Sequence, residues 1–239
     1  GSVTSIQDSV FTDCDSLTSV TLGYGVISID YDGFSGCDSL ASITIPGSGI
    51  VTFTAMTGQG ETRSSQEGSF ETGDAIGVFA IEPKTGVYWA VNNKYTYDGQ
   101  KFKPEAEADN IIVTVGTDFD FYVYYPFKAG QTDITGISHT AGNQSDKSGW
   151  LSADFMTATY TDPIRNYTVP LHFKHRMSTV EVRIDRNDGV REATMENVKR
   201  TSRFNLLTGG ISTDESKGNC TMYKYSEAAG TTVFRVTIP

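Results

Sequence analysis

The sequence predicts a mainly β protein in two parts, a short solenoid followed by an antiparallel β domain of sandwich or barrel type. Three observations carry this. Residues 3–22 align onto residues 26–45 at an offset of 23 with 10 identities in 20 positions. The remainder is a series of short β-branched and aromatic stretches separated by Gly, Asp and Asn turns, with almost no helical periodicity. Finally, Phe119, Phe121, Val123 and Tyr125 alternate with Asp120, Tyr122 and Tyr124, the period of a strand with one covered face.

In the repeat, Val20 with Leu22 and Ile43 with Ile45 supply the short inward-facing strands, so that stacked coils bury equivalent positions on each other. Phe11, Cys14 and Leu17 line the first coil, with Phe34, Cys37 and Leu40 above them. The cysteines then read as small buried hydrophobes. A disulfide is the alternative, since neighbouring coils bring equivalent Cα atoms near bridging range. Residues 1–49 hold six Asp and no Lys, Arg or Glu, a solvated acidic surface. Asp30–Gly33 lacks the Glu that closes a calcium loop. The stretches from Phe11 to Leu22 and from Phe34 to Pro46 resemble the leucine-rich repeats of the BspA type, each an F-x-x-C-x-S-L core followed by a short strand. The resemblance assigns residues 1–46 to two such repeats, a leucine-rich-repeat solenoid, with 47–49 as a linker.

Composition narrows the function. The 239 residues carry 19 Lys+Arg against 29 Asp+Glu, a formal charge of −10, which disfavours nucleic acid as a partner. Twenty-seven aromatics (12 Tyr, 13 Phe, 2 Trp) provide enough apolar surface for a core. The apolar run at 75–81 falls far short of the roughly 20 residues that a spanning helix needs. Three cysteines without C-x-x-C spacing make neither a disulfide framework nor a zinc site.

From Ile50 the candidate strands are 50–56, 75–81, 87–91, 94–97, 111–115, 119–125, 167–173, 177–185, 193–199, 221–225 and 232–238. Leu171 and Phe173 alternate out of phase with Val180, Val182 and Ile184, which predicts a bulge near Ser178. Residues 128–149 contain no apolar run and read as a binding loop or as disorder.

Read in order, residues 50–239 resemble fimbrillin-like proteins, the subunit family of type V pili and related adhesins. The matching stretches are Ile50–Ala55 with Thr62-Arg63, Gly73–Phe79, Tyr95–Gly99, Asp120–Pro126, Ser152–Met156, Val169–Val180 and Phe204–Gly209. The resemblance implies a transthyretin-like antiparallel β-sandwich, export to the cell surface, outer membrane or fimbrium, and non-enzymatic work as an adhesin or as a pilus tip or accessory component. Its partners would be other pilus or surface subunits, host proteins or glycans, with the membrane reached only through a lipid anchor outside this chain. The resemblance also implies an exchangeable first strand, bearing Ile50, Val51, Phe53 and Ala55, and a processing cut after Arg63. The polar loop at 57–69 suits cleavage. Two departures bear on assembly: residues 50–239 account for one β-domain where the family usually has a second, which donates a strand in trans, and a cut at Arg63 would detach the repeats.

No residue pattern specifies an enzyme, a metal or a cofactor. His172 and His175 fall on opposite faces of a strand, His139 sits in a polar stretch, and no G-x-S-x-G occurs. Asp118 and Asp120 read as solvated turn residues rather than a glycosidase pair. The nine basic residues against five acidic ones from Arg165 to Arg203 read as sheet exterior, and the sequons at Asn143, Asn166 and Asn219 as accidental. The aromatic group of Phe119–Phe127, Tyr88, Trp89, Tyr95 and Tyr97 reads as core, with a sugar-stacking platform, and hence a glycan-binding accessory module, as the alternative.

Overall fold

The structure is a computed structural model. It describes residues 5–22, 26, 28–44, 48–55, 70–114, 116–185, 189–228 and 230–239. Within them the chain is mainly β and forms two compact units. One comprises residues 1–51, 112–118 and 163–167, the other 52–111, 119–162 and 168–239.

In the first unit, Ser5–Ile6 pairs in parallel with Ser28–Ile29, and Ser19–Thr21 with Ser42–Thr44, each residue opposite its equivalent 23 positions on. The rings of Phe11 and Phe34 stack at 5.0 Å and 6°. Asp13 (φ 55°) and its equivalent Gly36 (φ 72°) share the left-handed conformation, which Asp tolerates and Gly adopts freely. A Cβ at 36 would lie 2.2 Å from Asp13 Oδ1, so any other residue there would displace that carboxylate. Ile6 and Leu22 are buried. Phe11, Cys14, Leu17, Phe34, Cys37 and Leu40, the expected core, are half-buried. Cys14 and Cys37 are free thiols, and Cys37 Sγ donates to Phe11 O at 2.9 Å. Ile45 and Pro46 lie outside the described residues.

The expected linker at 47–49 needs correction. Ser48–Ile50 is a strand, antiparallel to Ile112–Thr114, and Gly49 lies against the Tyr167 ring, where a Cβ would come within 2.9 Å. The single strand expected at 50–56 is consequently two, Ser48–Ile50 and Thr52–Ala55, with buried Val51 between them; Met56 is outside the described residues.

The second unit is organised by an eight-stranded sheet. Its order across the sheet is Thr168–Leu171, Thr52–Ala55, Phe102–Pro104, Tyr88–Tyr97, Ala75–Ile81, Asp120–Tyr125, Met156–Tyr160 and Lys174–His175. All pairings are antiparallel except that of Thr52–Ala55 with Thr168–Leu171, which is parallel. The two edge strands are consecutive in the chain, separated by His172 and Phe173. Three extended residues span about 10 Å, so the sheet is rolled until its edges approach. Register shifts opposite Val78, Ala80 and Ile81, together with Asn92 at φ 58°, supply local curvature.

Rolling gives the sheet two dissimilar faces. Inside, Phe53 packs edge-on to Tyr95 and Phe121, while Phe70 makes edge contacts with Phe102, Tyr125 and Phe173 at 5.0 to 5.4 Å. Outside, Phe79 and Tyr124 pack with Phe155, Ile137 and Phe204, the last two from a three-stranded sheet of Ile137–Thr140, Thr201–Phe204 and Ile211–Thr213. The expectation of a single covered face therefore fails at Tyr124, which is 1% exposed.

The predicted bulge near Ser178 is absent. The phase change comes from leaving the sheet: Ser178–Asp185 pairs in unbroken register with Thr231–Ile238 in a second sheet, completed by Tyr223–Ala228. That sheet packs with Thr194–Lys199 and Lys217–Thr221 around Cys220, Met222, Phe234 and Val236. Residues 128–149 are not loose either. They contribute Ile134, Ile137, Ala141 and Gln144 to the interior, and the helix Lys147–Ser152 begins within them, capped by Asp146. Fully buried Gln144 imitates a strand: its amide accepts from Thr237 N and donates to Thr237 O, both at 2.7 Å.

Gly77 sits where the outer face is tightest, since a Cβ would lie 2.2 Å from the Tyr124 ring and 2.5 Å from Asn92 Oδ1. Tyr124 is fixed in turn, donating to Asn92 Oδ1 at 2.7 Å and accepting from Lys128 N at 3.2 Å. Gly77→Ala is expected to lower stability by about 1–3 kcal/mol, read as a lower urea midpoint with unchanged slope.

Candidate functional site

The sequence places the candidate site at the first strand of the sheet and the slot that holds it. Thr52–Ala55 is an interior strand, bonded along one side to Thr168–Leu171 and opposite Phe102 on the other. Its alternation aims Phe53 inward, where it is fully buried between Tyr95 and Phe121. Thr52 and Thr168 face outward together, with their hydroxyls 3.1 Å apart. The predicted strand residues divide accordingly: Ile50 is 43% exposed, Val51 and Phe53 are buried, and Ala55 is half-buried. Without this strand the backbone of 168–171 and the rings of Tyr95, Phe102 and Phe121 would be uncovered, an apolar slot edged by unpaired amides. Arg63 and the loop 57–69 lie outside the described residues. The chain re-enters them at Phe70, an inner-face aromatic hub missed from sequence because a lone Phe after a polar loop carries no periodicity.

The three histidines serve separate ends. His139 is 8% exposed, and its Nε2–H donates to Ala153 O at 2.9 Å; burial pushes its pKa down, against the opposing pull of that bond and of Asp154. His175 Nδ1 lies 2.7 Å from Asp154 Oδ2 at the end of the sheet. His172 is on the outer face, exposed, as its strand phase predicts. Among the described residues no three His, Cys, Asp or Glu side chains gather as a metal site. Asp118 precedes the strand that Asp120 begins. Of the aromatic group, Phe119, Phe121, Tyr95, Tyr124 and Tyr125 are buried, whereas Tyr88 and Trp89 (57% exposed) stand on the surface, Trp89 edge-on to Phe119 at 5.2 Å.

The model of the fimbrillin-like family matches residues 62–239, about three quarters of the chain. The chain belongs to the fimbrillin-like family. The model of the BspA-type leucine-rich-repeat region, described with six copies, matches residues 1–57. No curated protein matches the chain. Among solved structures, it is similar to a Bacteroides ovatus protein assigned to cell adhesion, with 17% identity and a TM-score of 0.58 over 80% of this chain and 78% of that one. A Bacteroides uniformis protein of the same assignment is similar at 20% identity and a TM-score of 0.54, over 79% and 74% of the two chains. At such identities the likeness is one of fold.

Two outcomes follow from this geometry. Phe53→Ala empties a fully packed position and is expected to cost about 3–5 kcal/mol, with accelerated amide exchange in 52–55 and 168–171 by hydrogen-exchange mass spectrometry. His139 binds its proton less readily in the folded chain than the ordinary value of about 6.5. Above that pH neither state is protonated there. As pH falls below it the unfolded state takes the proton first and stability declines, by at most about 1.4 kcal/mol per pH unit. Urea midpoints at pH 7.5 and 5.5 should therefore differ less in His139→Gln than in the parent protein.

Proposed function

We propose that the protein is a non-enzymatic cell-surface adhesin, acting as a tip or accessory component of a fimbrium. The fimbrillin-like match over residues 62–239 is the observation that carries this. In this reading the parallel, 23-residue pairing of the first unit is two turns of a leucine-rich-repeat solenoid, and the rolled sheet with its covering strands is a transthyretin-like sandwich. Its position is the bacterial outer surface, reached through a lipid anchor beyond this chain, and its partners are other surface or pilus subunits and host molecules.

The first strand gives the reading its assembly chemistry. Thr52–Ala55 is held by one inward aromatic and by backbone bonds on both sides, so a strand of similar pattern from another subunit would satisfy the same slot. Arg63 is the candidate processing position. A cut there would carry away residues 1–63, repeats included, so the form that retains its repeats is the uncut one. A glycan-binding accessory role is the second reading, favoured by exposed Tyr88 and Trp89; a glycan array without hits removes it.

Brief digestion with an Arg-specific protease, mass spectrometry of the fragments and size exclusion under native conditions test the first reading. The expected result is a monomer in which residues 1–55 remain bound. Release of residues 1–63 with growth of larger assemblies would overturn it in favour of a strand-exchanging shaft subunit.

A further inference from the structure

A cleft of about 500 Å³ opens on the outer face of the rolled sheet, away from the first-strand slot. Its floor follows from strand register. Thr157 lies opposite both Tyr124 and Lys174, and Thr159 opposite Tyr122, so Thr157, Thr159 and Lys174 project to the same side. His172 and Arg176 flank Lys174 at two-residue spacing and line the same cleft. Three basic side chains thus stand in a row along the edge of a floor of hydroxyls.

The far wall is the turn between Thr201–Phe204 and Ile211–Thr213. Asn205 organises it: its Oδ1 accepts from Leu207 N at 3.0 Å and Thr208 N at 3.1 Å, and its backbone closes on Gly209 and Gly210. Arg176 Nη2 donates to Gly209 O and ties the basic row to this lip. The cleft is therefore formed in advance of any ligand, and the Phe204–Gly209 stretch singled out in the sequence builds its wall.

Charge is the unusual feature. The protein carries a formal charge of −10, yet among the described residues no carboxylate lines the cleft. Neither His172, Lys174 nor Arg176 has a carboxylate partner among the described residues. Arg176 Nε is buried without an acceptor, so the guanidinium's charge is only partly answered by Gly209 O. Basic groups without partners favour an anion. The remaining lining combines neutral donors and acceptors, from Thr157, Thr159, Thr161, Thr208 and Asn205, with the apolar surface of Tyr122, Phe204, Leu206 and Leu207, a mixture that suits a ligand bearing both hydroxyls and C–H faces, as a sugar ring does.

We propose that this cleft binds an acidic saccharide, its carboxylate or sulfate on the His172–Lys174–Arg176 row and its hydroxyls on the threonine floor and the Asn205 turn. The inference deepens the adhesin reading by naming a ligand class for one face. It is tested separately from strand retention, so either can fail while the other stands.

The test is calorimetric titration of the intact chain, at 50 mM and 500 mM salt, with tetragalacturonate, a heparin tetrasaccharide, maltotetraose and tetraglutamate. The expected result is saturable binding of at least one of the two acidic saccharides, weakened tenfold or more at high salt, with no binding of maltotetraose or tetraglutamate. The preferred acid then distinguishes carboxylate from sulfate. Lys174→Glu, at an exposed position, should lower that affinity at least tenfold without changing the melting temperature, and Trp89→Ala should leave it unchanged. Absence of binding by both acids, equal binding of maltotetraose, binding of tetraglutamate at comparable affinity, or indifference to Lys174→Glu would each overturn the proposal.

Discussion

Closure of the eight-stranded sheet is the constraint on which the second unit depends. Leu171 ends one edge strand and Lys174 begins the other, so two residues must cross from edge to edge. A flat sheet of eight strands, spaced about 4.8 Å apart, would put those edges over 30 Å apart. The sheet therefore rolls, and rolling creates an inside that must be filled. Phe53, Phe70, Tyr95, Phe102, Phe121 and Phe173 fill much of it with offset, edge-on rings, an arrangement that aromatic quadrupoles favour. Phe173 lies within the crossing itself, so the residue that closes the sheet also packs its interior.

The outer face follows from the same event. Once the inner alternates are committed, Phe79, Tyr122 and Tyr124 point outward and need cover. The three-stranded sheet containing Ile137 and Phe204 supplies it at one end, with Phe155 and Phe204 stacked at 4.0 Å. At the other end the cover lifts away and the basic cleft remains. The last sheet is secured by unusual means. Arg235 is only 5% exposed, donates to Glu181 Oε2 through Nε and Nη2, both at 2.9 Å, and lies 3.3 Å over the Tyr225 ring. Truncating Glu181 would leave the buried Arg235 charge without its carboxylate, whereas without Arg235 the partly exposed Glu181 keeps Arg183 at 2.7 Å.

Legibility in the sequence tracked how each segment solved its burial. Ala75–Ile81 was readable because a strand buried on both faces is a continuous apolar run. The repeat was readable because identical residues occupy identical places, and the 23-residue offset became the register of both parallel pairs. Tyr88–Tyr97 was read as two strands because Val91, Asn92 and Asn93 break the alternation at the left-handed residue that bends it. Ile137–Thr140 was missed because one buried Ile and one buried His in four residues make no apolar run, and buried Gln144 because its anchoring is polar. A glutamine that completes a strand's hydrogen bonds looks, in sequence, like any loop glutamine. The cleft was missed because its two sides, His172–Arg176 and Asn205–Gly210, are brought together only by tertiary structure.

The direction of Thr52–Ala55 has a mechanical consequence. The strand lies parallel to Thr168–Leu171 and is flanked on its other side at Phe102, so its hydrogen bonds run across its axis. Tension arriving through the chain upstream of Thr52 pulls along that axis and strains the bonds simultaneously, in shear, instead of peeling them one at a time. Phe53, inserted between Tyr95 and Phe121, resists the same displacement as a transverse peg. The joint is therefore strongest against tension along the strand, and a strand that slips from the slot must first drag an aromatic ring out of the protein's interior.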